Sequence, residues 1–166
     1  GDNEAEAPDL DVTAAAGDED TAIALDISAV LTDTDGSETL SITISDVPTG
    51  ATLSAGTDNG NGTWTLTPDQ LDGLTITPPE DSDVDFDLTV TATSTEVSTG
   101  DTATTSATLA VAVSAVADSP NVAAGDADGD VGQTVLLDIE SILNDTDGSE
   151  SLSITIAGMP DGASLN

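Results

Sequence analysis

The chain contains no lysine, arginine or histidine, but it contains 33 aspartate and glutamate residues, which give a formal net charge of −33. No basic side chain can therefore pair with these carboxylates, and their mutual repulsion opposes a compact state. Neutralising charge has to come from metal ions, high salt or a basic partner. The same absence argues against nucleic acid as a partner, because contacts to phosphates need a basic surface. An anionic membrane surface would also repel the chain, so we expect no direct membrane contact.

Cysteine and tyrosine are absent, and the aromatic residues are one tryptophan and one phenylalanine. Without cysteine there is no disulfide framework, so any cross-linking has to be ionic. No apolar run approaches about 18 residues, so we predict no membrane-spanning helix. No secretory signal peptide is visible, and we expect a fragment because Gly1 is not a natural start.

High acidity with few aromatics is also typical of disordered chains. Here, however, the hydrophobic residues make up 37% of the chain and follow a pattern. In residues 40–45, 86–92 and 104–113, apolar residues alternate with polar ones or with alanine, which is the period of a half-buried strand. The pattern favours a folded, all-β chain.

An internal repeat divides the chain. At an offset of 112 residues, residues 8–53 align with residues 120–165 without a gap, and about half of the positions are identical. We therefore predict one complete unit at residues 7–118 and the N-terminal part of a second repeat at residues 119–166. This period suits a sandwich domain of about 100 residues. It is far too long for a nonapeptide β-roll.

The first unit reads as about seven strands separated by turns, with one helical turn at residues 26–31 capped by Asp26. We predict an antiparallel Greek-key β-sandwich of the immunoglobulin or cadherin type. Its core is leucine, isoleucine, valine and alanine, with Trp64 and Phe86 packed among them. The predicted strands are residues 10–14, 22–25, 40–45, 51–55, 63–67, 74–77, 86–92 and 104–113.

The most conspicuous repeated motif is Asp-Thr-Asp-Gly-Ser-Glu, at residues 33–38 and again at residues 145–150. Counting strand reversals predicts that loops 33–38, 56–62 and 78–85 share one end of the sandwich with the linker at residues 117–121. The other end then holds loops 46–50, 68–73 and 95–101. The first end would concentrate many carboxylates close together, which is unfavourable unless a cation neutralises them.

Calcium is the cation that suits such a group, because it takes six to eight oxygen ligands in flexible geometry. Zinc and copper sites normally use histidine or cysteine, which this chain lacks. Any single aspartate here can equally be a turn former in solvent. The motif is not an EF-hand loop, because residue 31 is leucine and no helices flank it. The predicted Ca²⁺ ligands are Asp33, Asp35, Glu38, Asp58, Asp81, Asp83, Asp118, Asp145, Asp147 and Glu150.

Several segments together resemble the tandem cadherin-like repeats of giant type I-secreted RTX adhesins of bacteria. The resemblance covers essentially the whole chain and is carried by residues 19–25, 31–38, 48–53, 60–66, 86–90 and 116–120. It implies an extender module, outside the cell and at the bacterial surface, that joins neighbouring repeats into a rod. Such a rod is stiffened by calcium at domain junctions, folds after secretion, and projects distal ligand-binding domains for adhesion and biofilm formation. Because the second repeat stops at Asn166, we expect either a fragment or an inserted domain at that point.

The sequence is also compatible with two other functions. The calcium loops of such a module can bind a carbohydrate or a protein directly, although aromatic residues for stacking on sugars are scarce. Catalysis by carboxylates alone is known in glycoside hydrolysis. The chain, however, has no histidine, cysteine or lysine to act as base or nucleophile, and its acids recur in both repeats. We therefore expect a protein that is not an enzyme.

Overall fold

The computed structural model describes residues 3–145 and 147–166. The chain forms two compact units, one that ends at Val116 and one that comprises Ala117–Asn166. The described residues form eleven strands in the first unit: β1 Asp9–Thr13, β2 Ala15–Asp18, β3 Ile23–Ala24, β4 Asp26–Val30, β5 Glu38–Ser45, β6 Thr52–Leu53, β7 Thr57–Asp58, β8 Trp64–Leu66, β9 Thr75–Thr77, β10 Phe86–Glu96 and β11 Thr102–Ser114. A 3₁₀ helix spans Pro68–Leu71. None of the described residues belongs to a helix that is long and apolar enough to cross a membrane.

The largest sheet of the first unit has six strands in the order β2-β11-β10-β5-β8-β7. Its centre is the long antiparallel pair β10 and β11, whose register joins Phe86 to Val111 and Thr95 to Thr102. Strand β2 lies parallel to β11 at the edge. The predicted strands at residues 40–45, 86–92 and 104–113 all lie in this sheet, because their apolar alternation fits a pleated surface with one buried face.

The core lies on the buried face of that sheet, against the three-stranded sheet β3-β9-β6 and the pair β1-β4. Ile42, Ile44, Ile76, Leu88 and Leu109 are completely buried in it. Full burial of one such side chain contributes about 1.5–3 kcal/mol. Several sheets packed around one apolar core are consistent with a β-sandwich.

The two aromatic residues occupy the positions that the sequence predicts. Trp64 and Phe86 are partly buried and pack against the core cluster. Trp64 begins β8 opposite Ile44, and Phe86 begins β10 opposite Val111. Both aromatic rings therefore contribute to the core.

Two local predictions for the first unit are wrong. The expected helical turn at residues 26–31 is strand β4, which pairs with β1 in the register Val12 to Ile27. The β-branched Ile27 is buried in the core, so tertiary pairing overrides the capping signal of Asp26. The predicted loop at residues 56–62 contains strand β7, which forms a hairpin with β8.

That extra strand changes which loops share an end of the unit. Because β7 adds one chain reversal, residues 33–38 do not lie with residues 78–85 as predicted. Strand β10 runs antiparallel to β5, with Glu96 opposite Glu38 and Thr89 opposite Ser45. The acidic loop at residues 33–38 therefore lies beside the 96–101 turn. Residues 46–50, 59–63 and 78–85 lie at the opposite end, where β11 also leads out of the unit.

The second unit contains the strand pair β12 Asn121–Ala124 and β13 Ile139–Ile142. Its register joins Asn121 to Ile142, which corresponds residue for residue to the pairing of Asp9 with Val30 in the first unit. The repeat therefore reproduces the first strand pairing of the fold. Several large apolar side chains of this unit are exposed, among them Val131, Leu136, Ile142 and Ile154.

Candidate metal centres

The acidic loop of the first unit connects β4 to β5 and is shaped by its own carboxylates. The backbone N–H of Asp35 donates to Oδ1 of Asp33 at 3.0 Å, and that of Ser37 donates to Oδ1 of Asp35 at 2.8 Å. These are two successive aspartate turns, in which a side chain captures the backbone two residues further on. Gly36, which lies between Asp35 and Ser37, has a φ of +86°, a backbone conformation that other residues rarely adopt. The loop is therefore encoded by its local sequence.

Ser37 also stabilises the ionised form of Asp35. Its hydroxyl contacts Oδ1 of Asp35 at 2.5 Å, and this hydrogen bond is the main cause that lowers the pKa of Asp35 below its ordinary value, followed by the bond from the Ser37 N–H. Hydrogen bonds to a carboxylate favour its charged form. Asp35 therefore keeps its negative charge under mildly acidic conditions.

The second unit builds the same loop. The N–H of Asp147 donates to Oδ1 of Asp145 at 3.0 Å, and the N–H of Ser149 donates to Oδ1 of Asp147 at 2.7 Å. Gly148 has φ +89°. The loop therefore recurs with its hydrogen bonds and backbone conformation, although the two units differ in the number of strands around it.

In each unit, the glutamate that ends the loop binds the N-terminal segment of that same unit. Oε1 of Glu38 accepts the N–H of Glu6 at 3.0 Å, and Oε1 of Glu150 accepts the N–H of Asp118 at 2.8 Å.

A side chain one residue before each loop holds the next residue of that segment. The Thr32 hydroxyl donates to the carbonyl of Ala7 at 3.0 Å, and Nδ2 of Asn144 donates to the carbonyl of Ser119. The N-terminal segment of each unit is thus fixed to the acidic loop of the same unit.

A second group of acids lies at the opposite end of the first unit. The N–H of Asp81 donates to Oδ1 of Asp20 at 2.8 Å, and carboxylate oxygens of these two residues lie within 4.8 Å of each other. Both residues have positive φ, 58° for Asp20 and 54° for Asp81. Nearby, Oδ1 of Asp85 accepts the N–H of Val113 at 2.7 Å. Asp83 is half-buried in the same loop.

Within the second unit, carboxylate oxygens of Asp145 and Glu150 lie within 4.8 Å of each other. Close pairs of this kind, together with further acids nearby, could hold a metal ion. Their oxygens are the ligand type that hard cations such as calcium and magnesium prefer.

The structure distributes the predicted ligands over three places. Asp33, Asp35 and Glu38 lie together at one end of the first unit, and Asp81 and Asp83 lie at the other end. Asp58 also lies at that other end, where its Oδ1 accepts the N–H of Gly60 at 2.9 Å and closes the β7–β8 hairpin. The remaining predicted ligands belong to the second unit and are Asp118, Asp145, Asp147 and Glu150.

Sequence reasoning missed Glu96 and Asp20. Glu96 ends β10 directly opposite Glu38, whereas the strand count had assigned it to the far end. The clean alternation that predicts strand 86–92 continues with buried Ser94 and Glu96. Extending the strand along that alternation would have brought the two glutamates together.

Comparison of the chain with models of protein families, with curated proteins and with solved structures gives no match.

Proposed function

We propose that the chain is a non-catalytic, calcium-binding extender segment of a large bacterial surface adhesin. In this proposal each unit is a Greek-key sandwich of the cadherin or immunoglobulin type. Neighbouring repeats of the same chain are its main partners, and it works outside the cell. Its task is to hold distal or inserted ligand-binding domains away from the cell surface, for adhesion and biofilm formation.

One observation carries this proposal. The acidic loop is built twice with the same backbone hydrogen bonds, and each copy also fixes the N-terminal segment of its own unit. In a chain with no lysine, arginine or histidine, only a cation from outside can neutralise these loops. A cation bound there would stiffen both the loop and the adjacent segment, which is what a rod made of tandem units needs.

The composition supports the proposed location. Calcium at the millimolar levels found outside cells occupies sites that remain empty at low cytosolic calcium, since sites of extracellular modules bind in the range of about 10⁻⁴–10⁻³ M. A chain with net charge −33 repels itself without such ions. Folding of this chain would therefore follow the calcium concentration.

A thermal melt followed by circular dichroism tests the proposal, first in excess EDTA and then across a calcium titration. At a hundredfold excess over Kd, one site that binds only the folded state contributes about 2.7 kcal/mol. For a domain of this size we expect Tm to rise by about 10 °C per site. A Tm that is identical in EDTA and in millimolar calcium would contradict the proposal.

A matched pair of variants localises the effect. Asp33→Asn removes one charge from the acidic loop, whereas Asp87→Asn removes one charge from an exposed position of β10. We expect the first variant to reduce the calcium-induced rise in Tm and the second to leave it unchanged. Small-angle scattering of the chain in saturating calcium tests stiffness separately, because an extender has to become rigid as it binds the ion.

A further inference from the structure

Two buried glutamates lie directly opposite each other at one end of the main sheet. Glu38 begins β5 and Glu96 ends β10, and the antiparallel register pairs them. Glu38 is 7% exposed and Glu96 is 1% exposed. Like charges in this arrangement are unfavourable, and burial without a counter-charge increases the penalty. No basic side chain exists anywhere in the chain to compensate them.

The hydrogen bonds of Glu38 and Glu96 leave one buried oxygen unsatisfied. Oε1 of Glu38 accepts the N–H of Glu6, but its Oε2 is buried and has no hydrogen-bond partner among the described residues. Both oxygens of Glu96 lie within hydrogen-bond distance of a hydroxyl group, that of Ser98 at 3.0 Å and that of Ser37 at 2.8 Å. A buried carboxylate oxygen with no partner is costly, so Oε2 of Glu38 is available to coordinate a cation.

The hydroxyl group of Ser37, at the same place, faces two carboxylates but has only one hydrogen to donate. Its hydroxyl oxygen lies 2.5 Å from Oδ1 of Asp35 and 2.8 Å from Oε2 of Glu96. A serine hydroxyl has a single hydrogen, so it can donate to only one of these two carboxylates at a time. The other contact then joins two oxygens without a proton between them. A cation at this position would attract all three oxygens.

We propose that the first unit holds a hard divalent cation of its own, Ca²⁺ by its ligand chemistry, between Glu38 and Glu96. The hydroxyl oxygen of Ser37 completes the protein's share of the coordination, and water fills the remaining positions. The site rests on the proposed calcium binding and adds to it a ligand from β10. Because Glu38, Glu96 and Ser37 all belong to the first unit, the site is complete without a neighbouring repeat.

The test uses the full chain and calcium chloride as the probe. Glu96→Gln keeps the shape of the side chain and removes one charge, and Asp87→Asn removes one charge from an exposed position on the same strand. By calorimetric titration, we expect Glu96→Gln to bind one ion fewer than wild type, or to bind it at least about tenfold more weakly. Asp87→Asn should match wild type.

Thermal melts separate this role from a merely structural one, because Glu96→Gln should raise Tm in EDTA but should reduce the rise in Tm that calcium causes. In EDTA, Glu96→Gln should melt about 2–4 °C above wild type, since the repulsion between the two glutamates is gone. In saturating calcium it should gain less than wild type does. Equal ion counts and equal calcium-induced rises in Glu96→Gln and Asp87→Asn would overturn this site and leave the proposed function intact. If wild type binds no calcium at all, both proposals fail.

A measurement that needs no Glu96 variant covers the case in which that substitution prevents folding. In the wild-type chain the backbone amides of Ser37 and Val97 should shift saturably in a calcium titration followed by NMR. The same shifts should persist in Glu150→Gln, which alters only the second unit. Amides that do not respond to calcium would overturn the site.

Discussion

The same five residues, Leu-Ser-Ile-Thr-Ile, occur at positions 40–44 and 152–156, and the structure treats them differently. In the first unit they lie within β5, between β10 and β8, and Ile42 and Ile44 are completely buried. In the second unit, no strand is formed at 152–156, and the equivalent Ile154 and Ile156 are 58% and 41% exposed.

The acidic loop immediately before these residues behaves in the opposite way. It has the same hydrogen bonds in both units. The loop is therefore determined by its own sequence, since each aspartate captures the backbone two residues ahead. The strand is determined by its neighbours, because β-structure depends on cross-strand partners more than on intrinsic preference.

Truncating the isoleucine that the two copies share tests how far packing determines the strand. Ile42→Ala should destabilise the first unit by about 3–4 kcal/mol, because it leaves a cavity in a packed core. Ile154→Ala should change stability by less than about 0.5 kcal/mol, since that side chain is exposed. Urea unfolding followed by circular dichroism in saturating calcium measures both. Equal losses would mean that the second copy is also packed against partners.

Replacing the loop glycine tests whether the conformation of the acidic loop is encoded locally. Gly36 and Gly148 both have positive φ, and no atom lies within 4 Å of the position a Cβ would take. Gly36→Ala should therefore cost about 1 kcal/mol through conformation alone. Gly148→Ala should disturb its loop in the same way. Matching changes in the amide shifts of Asp35 and Asp147 would support a locally encoded loop, and a change in only one copy would contradict it.

The smallest expected effect concerns the Ser37 hydroxyl. Ser37→Ala should raise the pKa of Asp35 towards its ordinary value, because the main hydrogen bond to the carboxylate is lost. The lowered pKa in the folded state means that ionised Asp35 adds stability above its unfolded-state pKa, and this is lost as the pH falls through the folded-state pKa. An NMR titration of the Asp35 carboxyl carbon in EDTA measures the shift. Ser37→Thr retains a hydroxyl and should keep the pKa low.

The sequence predicts the long strands well because their alternation spans many residues. It also predicts the acidic loop, whose hydrogen bonds join residues two apart. It does not predict β7, because Thr57–Asp58 is a two-residue strand with both side chains exposed. Because that one strand adds a chain reversal, the loops that follow it lie at the opposite end of the unit from the end that the strand count predicts. The strand count therefore separates the acidic loop from the 96–101 turn, whereas in the structure the two lie side by side.

The pairing of Glu38 with Glu96 was missed for the same reason. It depends on the register of two strands that are 58 residues apart in the sequence. Nothing within a short window around either glutamate specifies which residue will face it. Only the complete order of the sheet brings the two carboxylates together.

The parallel pairing of β2 with β11 has a mechanical consequence. The register joins Val111 to Ala15 and Ser114 to Asp18, so the chain enters β2 at one end of this pair and leaves β11 at the other. Tension applied to the two ends of the first unit pulls the strands past each other along their length. The hydrogen bonds between them are then loaded in shear and have to break together, whereas a hairpin pulled from its open end separates one bond at a time.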